Sequence, residues 1–286
     1  MFFLSAYCAA DGIFFCFSGG WANRQESGPG GLAGISEGIK IRATDDKLVD
    51  YKAHYQADAE AIVDPEELTP LRRTSEYRRL AGLVRLLRLQ PGEKLLDSGC
   101  GSGWLAALAR AAGARVWAMD IAPAGVVAAR ARFPEAGFFQ VGDGYHLPFA
   151  AASFDTLVLS EVVEHLEDIE AAFAEVRRVL RPGGRVLVSV PYRETILQHL
   201  CIHCNQFTPA NAHLHRFDEK QLANYLESQR LAVQQVLLLT NKLLELVGFP
   251  RWSRRWPYCC WRGFDWLFNK LTGKPAFLCV LATRTG

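Results

Sequence analysis

Between residues 95 and 103 the chain reads Leu95-Leu96-Asp97-Ser98-Gly99-Cys100-Gly101-Ser102-Gly103, with three glycines on alternate positions behind an acid. An apolar pair enters this run, and after Trp104 the residues Leu105, Leu108 and Ala109 fall at the spacing of one helix face. The pattern predicts a strand, a tight turn and a helix start. Glycine has no Cβ, so the backbone bends sharply there and admits a ligand to close range. Free N–H groups at the helix start face the same space.

The flanking segments narrow the architecture. Strands are expected at 94–97, 115–120, 137–141, 154–160 and 185–190, alternating with helices at 104–112, 124–133 and 169–180. Gly113 closes the helix at 104–112, and the helix at 169–180 has Asp168 as candidate N-cap and is stopped by Pro182-Gly183-Gly184. Residues 154–160 form the continuous apolar run of a central parallel strand. Repeating βα units of this size specify a parallel sheet covered on both faces, with ligands at the carboxyl ends of its strands. Before the sheet, Thr69-Pro70 predicts a helix start, and Leu80, Leu83, Val84 and Leu87 share a face while Arg78, Arg79, Arg85 and Arg88 fall largely elsewhere. Beyond it, a helix is expected at 218–228, a strand at 231–239 and a last strand at 276–283.

Bulk composition excludes more than it selects. The chain has 286 residues, 50% hydrophobic and 22% charged, enough for a sizeable core, and its net charge of +2 gives no reason to expect nucleic acid. Eight cysteines spread along this length are not a secreted disulfide scaffold, which points to a reducing, cytoplasmic compartment. Residues 1–43 read as a disordered leader and linker. The apolar start is broken by Asp11 and Gly12 and lacks a preceding basic residue, which argues against a signal peptide or anchor. Residues 44–286 then form one domain.

Two segments interrupt the rhythm. In 191–217, Cys201-x-x-Cys204 followed by His213-x-His215 has a spacing that suits tetrahedral zinc; the competing reading is free thiols and a histidine lining a lid. The insertion 249–275 holds Trp252, Trp256, Trp261 and Trp266, four of the chain's seven tryptophans, with six basic residues against the single acid Asp265. That composition suits peripheral contact with a membrane surface, and equally a tryptophan-rich cap packed on the sheet.

The ordered series of motifs resembles the class I S-adenosylmethionine-dependent methyltransferases, in their small-molecule branch. It comprises Asp97-x-Gly99-x-Gly101-x-Gly103, Asp120 at the second strand's end, Val141-Gly142-Asp143, Leu147-Pro148-Phe149, Ser153-Phe154-Asp155, Glu161-Val162-Val163-Glu164-His165 and Val179-Leu180-Arg181-Pro182-Gly183-Gly184. The likeness covers about residues 70–240, together with the last strand. It implies a doubly wound, Rossmann-like α/β fold of seven mostly parallel strands, the last antiparallel. It implies S-adenosylmethionine as cofactor, held by Asp97, Gly99, Cys100, Gly101, Gly103, Asp120, Ile121, Asp143, Gly144 and Ser160. Asp97 would meet the amino-acid end, Asp120 the ribose hydroxyls and Asp143 the adenine amino group. A nicotinamide enzyme would need glycine where Trp104 stands.

The implied activity is methyl transfer to a small molecule, lipid-like or quinone-like. The alternative is a non-catalytic cofactor-binding or membrane-associated protein that retains the fold. His165, after the fourth strand, is the candidate base; its other reading is a hydrogen bond to the helix start.

Overall fold

A computed structural model describes residues 51–53, 55–56, 68–200, 205 and 207–286; the expected leader at 1–43 lies outside them. The main sheet uses β1 (Lys94–Ser98), β2 (Arg115–Asp120), β3 (Phe138–Val141), β4 (Phe154–Ser160) and β5 (Leu180–Pro191), and is completed by β8 (Leu231–Asn241) and β9 (Pro275–Arg284). Its order is β3-β2-β1-β4-β5-β9-β8. The first five strands pair in parallel, and the last in sequence, β9, inserts antiparallel between β5 and β8. The seven strands and the reversed last one match the expectation from the sequence.

Period-two alternation divides the core between the two faces of the sheet. Leu95, Val116, Val158 and Leu187 pack with Leu83 and Leu87 of α1 (Pro70–Leu87) and with Leu105 and Ala109 of α2 (Trp104–Ala111). Their neighbours Leu96, Leu157 and Val186 pack with Phe173 and Val176 of α4 (Ile169–Val179) and with Leu222 and Leu226 of α5 (Glu219–Ser228). The helix α3 (Pro123–Arg132) joins β2 to β3. Helix starts follow the capping chemistry read from the sequence. The Thr69 side chain accepts from Arg72 N, Asp168 accepts from Ala171 N at 2.9 Å, and Asp218 forms a capping box with Gln221.

Three boundaries differ from expectation. The strand expected at 185–190 begins earlier, because Leu180 already pairs with Phe154 while Pro182-Gly183-Gly184 loops out before Arg185 pairs with Thr156. The strand expected at 231–239 runs on to Asn241, whose register ends at Pro275. Residues 191–217 hold a hairpin of β6 (Gln198–Leu200) and β7 (Phe207–Pro209), with Cys201 and Cys204 between them and outside the described residues.

After the short helix α6 (Lys242–Leu246), the insertion folds as α7 (Phe249–Trp252) and α8 (Tyr258–Thr272). Buried Asp265 fastens it: Thr240 N and Asn241 N donate to its carboxylate at 3.1 and 2.7 Å, and Asn269 Nδ2 donates at 3.2 Å. Arg78 of α1 reaches across to Ser253, donating to Oγ at 2.6 Å, and lies 5.2 Å from the Trp261 ring. Trp261 is buried as a cap residue, whereas Trp252, Trp256 and Trp266 are exposed.

Candidate active site

The glycine turn sits at the carboxyl end of β1, between β4 and β2. Gly99 N and Cys100 N both donate to the Met119 carbonyl, at 2.8 and 3.0 Å, which docks the turn onto β2. All three glycines have positive φ, and each meets different surroundings. A Cβ on Gly99 would strike Val162 Cγ2 at 2.2 Å, and one on Gly103 would press on Ala129 at 3.0 Å. A Cβ on Gly101 would meet nothing within 4 Å, so this residue opens on free space.

Two carboxylates flank the turn. Asp120 Oδ2 accepts from Gly101 N at 2.8 Å and Oδ1 from Ala122 N at 3.0 Å, so the acid at the end of β2 also shapes the glycine loop. Asp97 is 1% exposed, and its Oδ2 has no hydrogen-bond partner among the described residues. Burial, and then the charge of Asp120, push its carboxyl up to about 8. A buried acceptor with no donor, next to a turn open at Gly101, fits a ligand that brings a cationic donor. The ammonium of an amino-acid moiety is such a group. Cys100 is buried, and burial followed by the two nearby carboxylates holds its thiol far above the ordinary range, so it stays protonated.

The remaining expected cofactor contacts are placed around the same end of the sheet. Ile121 is half-buried, and its carbonyl accepts from Gln56 Nε2 at 3.3 Å. Gly144 has open space on its Cβ side. Asp143 is already engaged: Tyr51 donates its hydroxyl at 2.7 Å, Tyr145 N donates at 2.9 Å, and Lys52 Nζ lies at 3.5 Å. Burial would raise its carboxyl, but these donors outweigh burial and hold it below the usual range. Ser160 Oγ accepts from Arg79 Nη1 at 2.9 Å.

Arg79 is the main residue that the sequence reading misplaced. Arg78 and Arg79 are both buried rather than on an outer face. Arg79 forms an ion pair with Glu76 at 2.6 Å, contacts Glu161 at 3.5 Å and donates to Ser189 Oγ at 3.1 Å. Helical spacing placed both arginines beside the apolar face, and no charge pattern within the helix signalled partners some 80 and 110 positions away.

On the Val162 side of the turn, Val163–His165 forms a short 3-10 helix. The Glu164 carbonyl accepts from Leu214 N at 2.8 Å and His215 N at 3.1 Å, which brings 213–215 onto this segment. The His165 and His213 rings stand edge-to-face with centroids 4.8 Å apart. His213 Nδ1 meets Glu194 Oε2 at 2.5 Å. His215 turns its Nε2 to the Leu166 carbonyl at 2.6 Å, so that nitrogen is already used. Of the expected zinc set, only these two histidines are described, and their partners are a carboxylate and a carbonyl.

Residues 96–188 match the family model described as Methyltransferase domain. Among curated relatives, a malonyl-[acyl-carrier protein] O-methyltransferase from Serratia marcescens is 43% identical over 99 residues, covering 35% of this chain and 38% of that protein. A probable S-adenosylmethionine-dependent methyltransferase from Mycolicibacterium smegmatis is 35% identical over 154 residues, covering 54% and 57%. The chain thus spans between about two fifths and three fifths of the length of these relatives. Among solved structures, the Burkholderia thailandensis 1,6-didemethyltoxoflavin-N1-methyltransferase, with S-adenosylhomocysteine bound, superposes with a TM-score of 0.56 at 18% identity, covering 85% of this chain and 94% of its own. The domain match over residues 96–188, the strand order and the motif order are similar to those of the class I S-adenosylmethionine-dependent methyltransferases.

Proposed function

We propose that the protein transfers a methyl group from S-adenosylmethionine to a small-molecule acceptor. The observation that carries this reading is the pairing of an open glycine turn with a buried, unpartnered Asp97 oxygen beside Asp120. The cofactor, when bound, supplies an electrophilic methyl group. Asp97 would hold its ammonium, Gly101 would let its backbone lie close, and Asp120 would receive the ribose hydroxyls. Tyr51 shares Asp143 with the expected adenine site, so the helical residues at 51–53 and 55–56 cover that end of the pocket.

In-line displacement at a methyl group is promoted chiefly by alignment, and a base is required only where the acceptor must lose a proton. His165 is the candidate for that proton. An amphiphilic acceptor, lipid-like or quinone-like, is supported by the cavity of about 460 Å³ between α1 and the insertion. Tyr77, Trp104, Trp256 and Tyr258 line it together with Arg73 and Arg254. None of the acids at the glycine turn lines this cavity, so it would take the acceptor's body or the approach to the site rather than the cofactor. Curated relatives include a ubiquinone/menaquinone biosynthesis C-methyltransferase from Rubrivivax gelatinosus, 38% identical over 104 residues.

The test is incubation with methyl-labelled cofactor and extracts divided into lipid and water-soluble fractions. Label entering one organic-extractable product, and lost with Asp120→Ala, is the expected result. Cofactor binding without transfer to any fraction would favour the non-catalytic reading.

A further inference from the structure

Glu164 is the most unusual ionisable residue outside the cofactor turn. It is 1% exposed, and neither carboxylate oxygen has a hydrogen-bond partner among the described residues. A buried carboxylate without donors is costly and calls for a compensating group. One oxygen of Glu164 and one ring nitrogen each of His165 and His213 lie within 4.8 Å of one another. Bonds of about 2.0–2.2 Å to a central ion require only a small further closure of such a trio.

We propose that Glu164, His165 and His213 bind one divalent transition-metal ion. The rest of the local structure fits this. His213 has its Nδ1 against Glu194, which leaves Nε2 for an ion and supplies the outer carboxylate that orients metal-bound histidines. The 3-10 turn and the Glu164 carbonyl's two backbone hydrogen bonds fix the ligand-bearing segments against each other. Charge points the same way. Glu161, Glu164 and Glu194 converge here, while Arg79 is shared between Glu161 and Glu76.

Two imidazoles and one carboxylate suit zinc, iron(II), cobalt(II) or manganese rather than calcium or magnesium, and three protein ligands leave positions open to an oxygen donor. Gly99 lies against Val162, two residues before Glu164, so an ion here would sit beside the glycine turn. With an ion bound, His165 would act as a ligand in place of its candidate role as base, and the ion's service to an acceptor oxygen rests on the methyltransferase reading; the ion's binding does not.

Cobalt(II) titrated into chelator-treated full-length protein, followed by visible absorption and calorimetry, tests the site. One equivalent should bind with a d–d band. Glu164→Gln and His213→Ala should each weaken binding at least tenfold, Glu194→Gln should weaken it about 10- to 100-fold, and Cys201→Ser with Cys204→Ser should leave it unchanged. Unfolding temperature and S-adenosylhomocysteine binding verify that each variant is folded. Absence of binding at millimolar cobalt overturns the proposal. So does binding that survives Glu164→Gln and His213→Ala, or a thiolate charge-transfer band lost with the cysteines. Metal binding without cofactor binding would uphold this site and contradict the proposed function.

Discussion

Asp97 ties the chemistry of the glycine turn to a measurable pH dependence. Its carboxyl is pushed up to about 8 by burial and by Asp120, so between about pH 4 and pH 8 the folded state binds a proton that the unfolded chain has released. Its effect is therefore to lower stability as pH rises through that window. Without ligand, the unfolding free energy of the wild type, read from denaturant titrations, should fall between pH 5 and pH 8 more steeply than that of Asp97→Asn, by on the order of a few kcal/mol. A bound ammonium would favour the ionised form and expel the proton. Cofactor binding near pH 7 should thus release protons, seen as calorimetric heats that differ between buffers of different ionisation enthalpy; Asp97→Asn should abolish the difference. The proposed role of Asp97 was legible in the sequence because the acid stands two residues before the first glycine of the turn. Its missing hydrogen-bond partner was not, since that depends on the packing around it.

At the scale of elements, α1 is held to the sheet by a charge as well as by its apolar face. Arg79 lies under the ends of β4 and β5, with Glu76, Ser160, Glu161 and Ser189 around it and the Phe277 ring 4.8 Å away. Arg79→Met would leave two carboxylates without their counter-ion and should cost about 3–5 kcal/mol in chemical denaturation. The helix itself could be read from Thr69-Pro70 and the spacing of Leu80, Leu83, Val84 and Leu87, as could the βα units from their apolar runs and glycine stops. The burial of Arg79 could not, because its partners come from strands far along the chain. Asp265 poses the same difficulty. Standing alone among basic residues it looks like a surface charge, yet it accepts the N–H groups of Thr240 and Asn241. Asp265→Ala should loosen α8 and speed amide exchange at the end of β8 while sparing β1 and β2.

Across the whole molecule, a sheet with both faces covered presents its chemistry at one end and the insertion beside it. Among the described residues no helix is long and apolar enough to cross a membrane. Trp252 is 82% exposed and Trp266 54%, with Leu246, Val247 and Leu271 also exposed and Arg251, Arg254 and Lys270 nearby in sequence. If this surface meets lipid, as an amphiphilic acceptor would require, anionic vesicles should co-sediment the protein and Trp252→Ala with Trp266→Ala should reduce that several-fold, with cofactor affinity unchanged. The proposed cofactor site is the glycine turn, where Gly101 N donates to Asp120 and Asp97 lies buried. Isothermal titration of S-adenosylhomocysteine into the full-length protein tests it most directly. Saturable one-to-one binding, weakened at least about tenfold by Asp120→Ala, is the predicted result; no heat at millimolar ligand, or equal affinity in the variant, would contradict it.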